Sequence, residues 1–435
     1  MPLTILTDSD VRSLLLSLNR DDVLVLQHNL GEALHEYSTG TSEAGCCSTN
    51  QPFRTSIKRI DGQTTLFMPA SASGTTGMKI VTLSEGSTPS PSASKSSSPS
   101  LSSTHSLNSN SSYAASYAPS SLGEPPLEDD SFNPPESMAS SQSTTPHGSL
   151  TLLDSTGSPL GFINAEELTA FRTALAATIM FSRRSHVNTI TVFGAGKQAY
   201  WHIRLALLLR GDEIKHVNII NRTFSRAHRL LQELYSNGNE YWHAQTKFTV
   251  LSAEFGEYSR LLKEEVRKAD VIFCCTPSTE PLFPAEYLTS IEGRRKGRLV
   301  SLIGSYKPHM LEIHPDILKQ AVEPDHGRHH HKHAKQSGVI VVDSLDSCLK
   351  EAGEVIQAEL QPEHLVEVGE LMMIKKAIKK EVELGGEGDD GLKEWLEKGN
   401  VIYKSVGFGL MDVVVGGDVV MLARERGMGT TIDNF

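Results

Sequence analysis

Apolar positions recur in two rhythms along this chain of 435 residues, and the points where the rhythm changes mark its elements. The clearest change lies at 189–209. TITVF (189–193) alternates β-forming residues, Gly194, Ala195 and Gly196 interrupt the run, and KQAYWHIRLALLL (197–209) carries helical spacing. The pattern predicts strand, tight turn and helix. The alternation continues with strands over 216–220, 247–251, 270–276, 298–303 and 339–343, and helices over 224–235, 258–268 and 315–320. Strand alternating with helix predicts an α/β fold with a Rossmann doubly wound sheet.

The flanking segments read differently. A helix over 11–18, capped by Ser9 or Asp10, precedes a short strand over 23–26. Residues 51–82 hold two or three strand patterns with an Asp61-Gly62 turn signal, an antiparallel meander. Residues 83–149 change to Ser, Thr and Pro with few large apolar side chains, too little to offset ordering entropy, so a disordered insertion is expected. A strand over 151–154 should pair across that insertion with the meander, and a turn, another short strand and an Ala-rich helix from Asn164 or Ala165 to Phe181 follow. The final helical pattern, over 410–426, is apolar nearly all round, which predicts burial between layers or subunits.

Composition narrows the function classes. The formal charge of −11 argues against nucleic-acid and anionic-membrane partners. No run approaches the roughly 18 apolar residues of a membrane span, and the first residues lack a basic leader, so a cytoplasmic protein is expected. The cysteines Cys46, Cys47, Cys274, Cys275 and Cys348 are an odd number without CxxC spacing, which predicts reduced structural thiols. The run DHGRHHHKHAK (325–335) lacks the ligand spacing of a rigid metal site and reads as a solvated loop; no metal is expected. Residues 381–398 form a second charged, Gly-rich excursion with one short helix over 392–397.

The glycine turn carries the chemistry. Gly194 permits the sharp turn, Gly196 lets the backbone approach a pyrophosphate, and Ala199 lets helix and strand pack closely. The amides of the following helix would face a dianionic ligand, so Gly194, Ala195, Gly196, Lys197 and Gln198 are candidate cofactor-binding residues. The second strand ends in Asn221, Arg222 and Thr223, with no acidic residue to read a ribose 2′-hydroxyl. A guanidinium and a hydroxyl suit a 2′-phosphate, so NADP(H) is expected over NAD(H); the alternative for Arg222 is a solvated loop arginine. Thr276 and Pro277 follow the buried strand at the edge where dinucleotide sites form. Three further cations stand out: Arg54 and Lys79, neighbours if adjacent strands pair, and Arg172, placed among small apolar residues where it is costly without an anion. Each could also be a surface charge.

Nine short stretches in order resemble the ornithine cyclodeaminase and mu-crystallin family: MPA (68–70), KIVT (79–82), RTALAA (172–177), GAGKQA (194–199), NRT (221–223), CTPSTEP (275–281), GSYKPHMLEI (304–313), VVDS (341–344) and KSVGFGLMD (404–412). The resemblance implies a two-domain subunit. Residues 1–82 and 150–183 with 400–435 would form an α+β domain for substrate binding and dimerisation. Residues 184–375 would form the NAD(P)-binding Rossmann domain, and 376–399 a charged connecting segment. It implies a homodimer acting on a small amino-acid-derived substrate. It also carries the family's substrate-carboxylate arginines and lysine onto Arg54, Arg172 and Lys79.

One departure separates the family's branches. Cyclodeaminases carry an aspartate in the loop after the fifth Rossmann strand, and alignment on Gly304, Pro308 and Glu312 puts Tyr306 there. A phenol is a neutral donor, not a carboxylate base. The ketimine-reductase branch, which the resemblance says also lacks the aspartate and also has NRT, fits better. The expected function is therefore an NAD(P)H-dependent oxidoreductase reducing the C=N bond of a cyclic imino acid, with Lys79 and Tyr306 as catalytic candidates. The alternatives are ornithine cyclodeamination or amino-acid dehydrogenation with NAD, and a non-catalytic dinucleotide-binding protein.

Overall fold

Both ends of the chain meet in one sheet. Numbering strands in chain order, β1 (Leu3–Leu6) pairs antiparallel with β15 (Thr430–Ile432) and parallel with β6 (Pro159–Asn164). The sheet continues through β5 (His147–Asp154), β4 (Thr75–Ser84), β3 (Gln63–Ala72) and β2 (Thr55–Lys58), giving seven strands in the order β15-β1-β6-β5-β4-β3-β2. The structure is a computed structural model that describes residues 2–40, 48–49, 51–84, 147–236, 245–323, 338–372 and 390–435.

The meander and its partner across the insertion form as expected: β4 pairs antiparallel with β5, with Lys79 opposite Leu150. The expected insertion boundaries of 83 and 149 fall inside these strands, since Leu83 pairs with Thr64 and Ser149 with Ile80. Residues 85–146 lie outside the described residues, as do the histidine-rich run, 381–389, Cys46 and Cys47.

The expected strand over 23–26 is instead helix. Thr7, not Ser9 or Asp10, caps helix α1 (Asp8–Leu16), and Asn19 caps helix α2 (Arg20–Thr39) through a reciprocal capping box with Asp22. Val23, Leu26, Leu30 and Leu34 then fall at helical spacing and are buried. A run of four apolar residues cannot distinguish the two periods; the cap decides.

The second sheet has eight strands, all parallel: β7 (Thr189–Phe193), β8 (His216–Ile220), β9 (Lys247–Leu251), β10 (Val271–Cys274), β11 (Leu299–Leu302), β12 (Ile340–Val342), β13 (Leu365–Glu367) and β14 (Val401–Lys404). Their order is β13-β12-β14-β11-β10-β7-β8-β9. The chain moves outward from β7 to β9, then returns to β10 on the other side of β7. The switch point therefore lies between the carboxyl ends of β7 and β10, the crevice where such sheets bind ligands.

Strand β14 joins this sheet between β11 and β12. The boundary at 400 thus does not hold for 401–404. The helix Gly409–Glu425 then crosses to the first sheet and packs between its strands and helices α2 and α3 (Ala165–Phe181). Gly416 makes this approach possible, because a Cβ there would lie 2.4 Å from Leu150 Cδ2. The expected burial of this helix is borne out: Leu410, Met411, Val413, Val415, Val419, Val420 and Ala423 are all inaccessible. No described helix is long and apolar enough to cross a membrane.

Candidate functional site

The glycine turn has the geometry its sequence demands. Gly194 adopts φ +106°, its N–H donates to the Ile220 carbonyl at 2.9 Å, and a Cβ there would stand 2.8 Å from the Cys275 carbonyl oxygen. Two positions on, Gly196 is the N-cap of helix α4 (Lys197–Arg210), with no side-chain cap and no acidic residue in the first turn. A Cβ at Gly196 would meet nothing within 4 Å. Open space in front of amide donors that no side chain caps fits a pyrophosphate. Gln198 Oε1 is buried and has no hydrogen-bond partner among the described residues, a further polar atom a ligand could satisfy.

Lys197 is placed differently from a phosphate-binding lysine. Its ammonium lies 2.8 Å from Glu167, 2.9 Å from Glu166 and 3.4 Å from Asp8. Partial burial opposes its charge, but Glu167 and Glu166 outweigh that and hold its pKa above the ordinary lysine range. The side chain ties α4 to α1 and α3, so its backbone amide is what this residue offers a cofactor.

At the end of β8, the Asn221 N–H donates to Leu251 at 3.1 Å and its amide nitrogen donates to the Thr223 carbonyl at 2.9 Å. This fixes the turn that carries Arg222 and Thr223, both half-buried. Across the switch point, Glu312 accepts from the Thr276 N–H at 2.8 Å and the Gly304 N–H at 2.7 Å. The two loops touch so closely that a Cβ on Gly304 would sit 1.9 Å from the Thr276 carbonyl oxygen. Burial pushes the Glu312 carboxyl up to about 7, with Lys404 opposing. Pro277 next door is exposed.

The three cations singled out in the sequence all stand near one another. Lys79 on β4 is buried, and its Nζ donates to Asp412 Oδ1 at 3.0 Å. Arg172 on α3 is also buried, and its Nε donates to the same oxygen at 3.0 Å. Gly407, at φ +77°, makes room for the guanidinium: a Cβ there would lie 2.7 Å from Arg172 Nη1. The Gly407 N–H donates at 2.8 Å to Asp343, just beyond β12, so Arg172 is seated at the carboxyl edge of the parallel sheet. Burial lowers the Lys79 pKa to about 8, Asp412 working against this and Arg172 and Arg54 adding to it. Arg54, ahead of β2, ion-pairs with Glu351 at the end of the helix Leu345–Glu351. Tyr306 lies half-buried on the loop after β11, with the Lys307 ammonium 5.9 Å from its ring centroid.

Asp412 is the functional candidate that sequence reasoning passed over. The signal was present: a carboxylate between Met411 and Val413 in an otherwise apolar helix requires a buried cation. Its Oδ2 is buried without a hydrogen-bond partner among the described residues. Two cations converging on one carboxylate leave a net positive site suited to an organic acid. Cys274, Cys275 and Cys348 are buried, and burial raises each thiol well above its ordinary value, as inert core thiols require. Among the described residues no group of His, Cys, Asp and Glu could hold a metal ion.

Residues 131–368 match the model of the ornithine cyclodeaminase/mu-crystallin family. The chain belongs to this family. It is 30% identical over 290 residues to an uncharacterized protein of Saccharomyces cerevisiae, covering 62% of this chain and 72% of that one. It is 26% identical over 287 residues to a Delta(1)-pyrroline-2-carboxylate reductase of Bacillus cereus, covering 64% and 71%. An archaeal alanine dehydrogenase dimer with bound NAD superposes over the full length of both chains with a TM-score of 0.62 at 20% identity, which establishes the shared fold. The α/β architecture and family resemblance read from the sequence are both borne out.

Proposed function

We propose that the protein is an NADPH-dependent reductase of the C=N bond beside a carboxylate, acting on a cyclic imino acid. The observation that carries this reading is the convergence of Lys79 and Arg172 on Asp412 at the carboxyl edge of a parallel sheet. The similarity to a pyrroline-2-carboxylate reductase favours the same chemistry.

Arg172 and Arg54 bind the substrate carboxylate and so fix the imine carbon relative to the glycine turn. Lys79 gives a proton to the imine nitrogen, which makes the adjacent carbon a better electrophile. Its pKa of about 8 suits this step, because the ammonium is populated at neutral pH yet releases its proton readily. Asp412 orients Lys79 and Arg172 together. A bound nicotinamide would supply the hydride. Ala195, Gly196, Lys197 and Gln198 would hold the pyrophosphate through backbone amides, with Gly194 setting the turn by its own bond to Ile220, and Thr276 and Pro277 would line the nicotinamide end. Arg222 and Thr223 read the 2′-phosphate, with Asn221 setting their turn; this is the basis for NADPH over NADH. Tyr306 assists as a neutral donor.

The described residues fall into one compact unit carrying both sheets. Within it, the seven-stranded sheet from both chain ends forms the substrate-binding and dimerisation part and the eight-stranded sheet the nucleotide part. The functional unit is a homodimer, as in the archaeal alanine dehydrogenase. Reversal of the same chemistry would be amino-acid dehydrogenation. Cyclodeamination is disfavoured because Tyr306 cannot serve as a carboxylate base. The test is a panel of cyclic and open imino acids with NADPH absorbance as readout. Turnover of Δ1-pyrroline-2-carboxylate or Δ1-piperideine-2-carboxylate is expected, and no turnover across the panel overturns the reading.

A further inference from the structure

One carboxylate beside the substrate cations has no part in the proposed reaction. Glu351 ends the helix that follows β12 and accepts a hydrogen bond from Arg54 Nη2, the one hydrogen bond Arg54 makes among the described residues. One position earlier, the Lys350 ammonium lies 3.7 Å from the centroid of the Phe53 ring. Consecutive residues of the nucleotide part, Lys350 and Glu351, thus hold consecutive residues of the substrate part, Phe53 and Arg54. The contact is not a buried lock: the Arg54 and Glu351 side chains are 22% and 25% exposed, open to a ligand arriving from solvent.

The charges around this contact nearly cancel. Lys79 and Arg172 share the single charge of Asp412, leaving one unit of positive charge. Arg54 and Glu351 offset each other. Among the described residues, Asp343 and Lys350 also act on Glu351, and they are of opposite sign. Asp343 is already engaged by the Ser405 hydroxyl at 2.6 Å and the Gly407 N–H at 2.8 Å. A monoanion neutralises such a site, whereas a dianion brings a second carboxylate toward Glu351, where partial burial leaves the repulsion only partly screened.

We infer that Glu351 is a specificity-determining residue: it trims the charge of the site so that imino acids with one carboxylate are accepted and those with two are rejected. The inference rests on the proposed function, because it takes Arg54, Lys79 and Arg172 as the substrate-carboxylate cations. Without Glu351 the same cations would carry one more unit of positive charge and would accommodate a dicarboxylate.

Calorimetric binding of pyrrole-2-carboxylate and pyrrole-2,3-dicarboxylate to the NADPH-loaded protein tests this without requiring turnover. The wild type should favour the monocarboxylate, and Glu351→Gln should shrink that preference by about tenfold, the scale of one partly screened unit charge. Glu351→Asp keeps the charge while shortening the reach, so it should retain most of the preference. The same ordering should appear in kcat/KM for the imines of pyruvate and oxaloacetate. Equal preference in wild type and Glu351→Gln, or identical behaviour of the Gln and Asp variants, overturns the inference while leaving the reductase reading intact. If neither pyrrole acid binds any of the three proteins, the carboxylate site itself is misassigned and the inference falls with it.

Discussion

Lys79 Nζ stands 3.0 Å from Asp412 Oδ1 although the two residues are 333 positions apart, one on a sheet strand and the other on the C-terminal helix laid against it. Asp412 is the anion that buried Lys79 pairs with, and the same oxygen also pairs with Arg172. A buried ammonium needs an anion, and a carboxylate in an apolar helix needs a cation. The pair sets the protonation state of the proposed proton donor.

The pH profile should report this. Lys79 must be protonated to act, so kcat/KM is expected to hold below pH 8 and fall as pH rises through about 8, the value to which burial lowers this group from 10.5. Asp412 raises the Lys79 pKa, so Asp412→Asn removes that support and should move the falling limb to lower pH by about one unit or more. A limb that stays in place or moves upward would show that another group titrates.

The two glycines of the turn separate folding from binding. Gly194→Ala forces φ +106° on an L-residue and drives a Cβ toward the Cys275 carbonyl, so it should cost about 1–3 kcal/mol of stability as well as cofactor affinity. Gly196→Ala meets no protein atom and has φ −103°, so the melting temperature should barely change while NADPH binding is lost, because the methyl fills the space left for the pyrophosphate. Equal NADPH affinity in wild type and Gly196→Ala would remove the pyrophosphate from this turn.

Much of this was legible in the sequence, for reasons particular to each part. Most of the parallel sheet announced itself because short runs rich in β-forming residues alternate with helical patterns, and TITVF-GAG is a local signal. The meander was legible because β3 and β4 are long and joined by a tight turn. Strands β1, β13, β14 and β15 were missed because three or four residues such as LTIL, LVE or VIYK do not establish a period. The chain's return to β14 was invisible for the same reason. In the site, Arg172 stood out as a cation among small apolar residues and Arg54 with Lys79 as cations on neighbouring strands, and the family resemblance gave them roles. Asp412 could not be paired with Lys79 and Arg172, nor Glu351 with Arg54, from sequence, since these contacts join segments that only the tertiary fold brings together.

The proposed preference for NADPH rests on Arg222 and Thr223, and Arg222 carries the charge. Arg222→Asp should reverse the preference between NADPH and NADH by at least about tenfold, because an acidic side chain accepts from a ribose hydroxyl and repels a 2′-phosphate. Dissociation constants for both nucleotides, measured by fluorescence titration, check this. An unchanged ratio would assign Arg222 to the solvated loop.

Glu312 ties the Thr276 and Gly304 loops together, and its titration should be visible in stability. Its folded-state pKa of about 7 lies above the ordinary 4.5, so the folded protein binds this proton more tightly than the unfolded chain. The contribution to stability is therefore fully present below pH 4.5 and is lost as pH rises to about 7. Glu312→Gln cannot titrate, so the stability advantage of wild type over this variant should be larger at pH 5 than at pH 7.5, by roughly 1–3 kcal/mol. Denaturant unfolding at the two pH values decides it.

The most direct test of the proposed chemistry follows one atom. Wild-type protein given Δ1-pyrroline-2-carboxylate and NADPH deuterated at the transferring C4 position should yield proline with one deuterium on Cα, one for each NADPH consumed. Lys79→Met should bind NADPH as wild type does and lose about a hundredfold or more in kcat. Unlabelled proline, or proline released from ornithine with no net consumption of NADPH, would contradict the account.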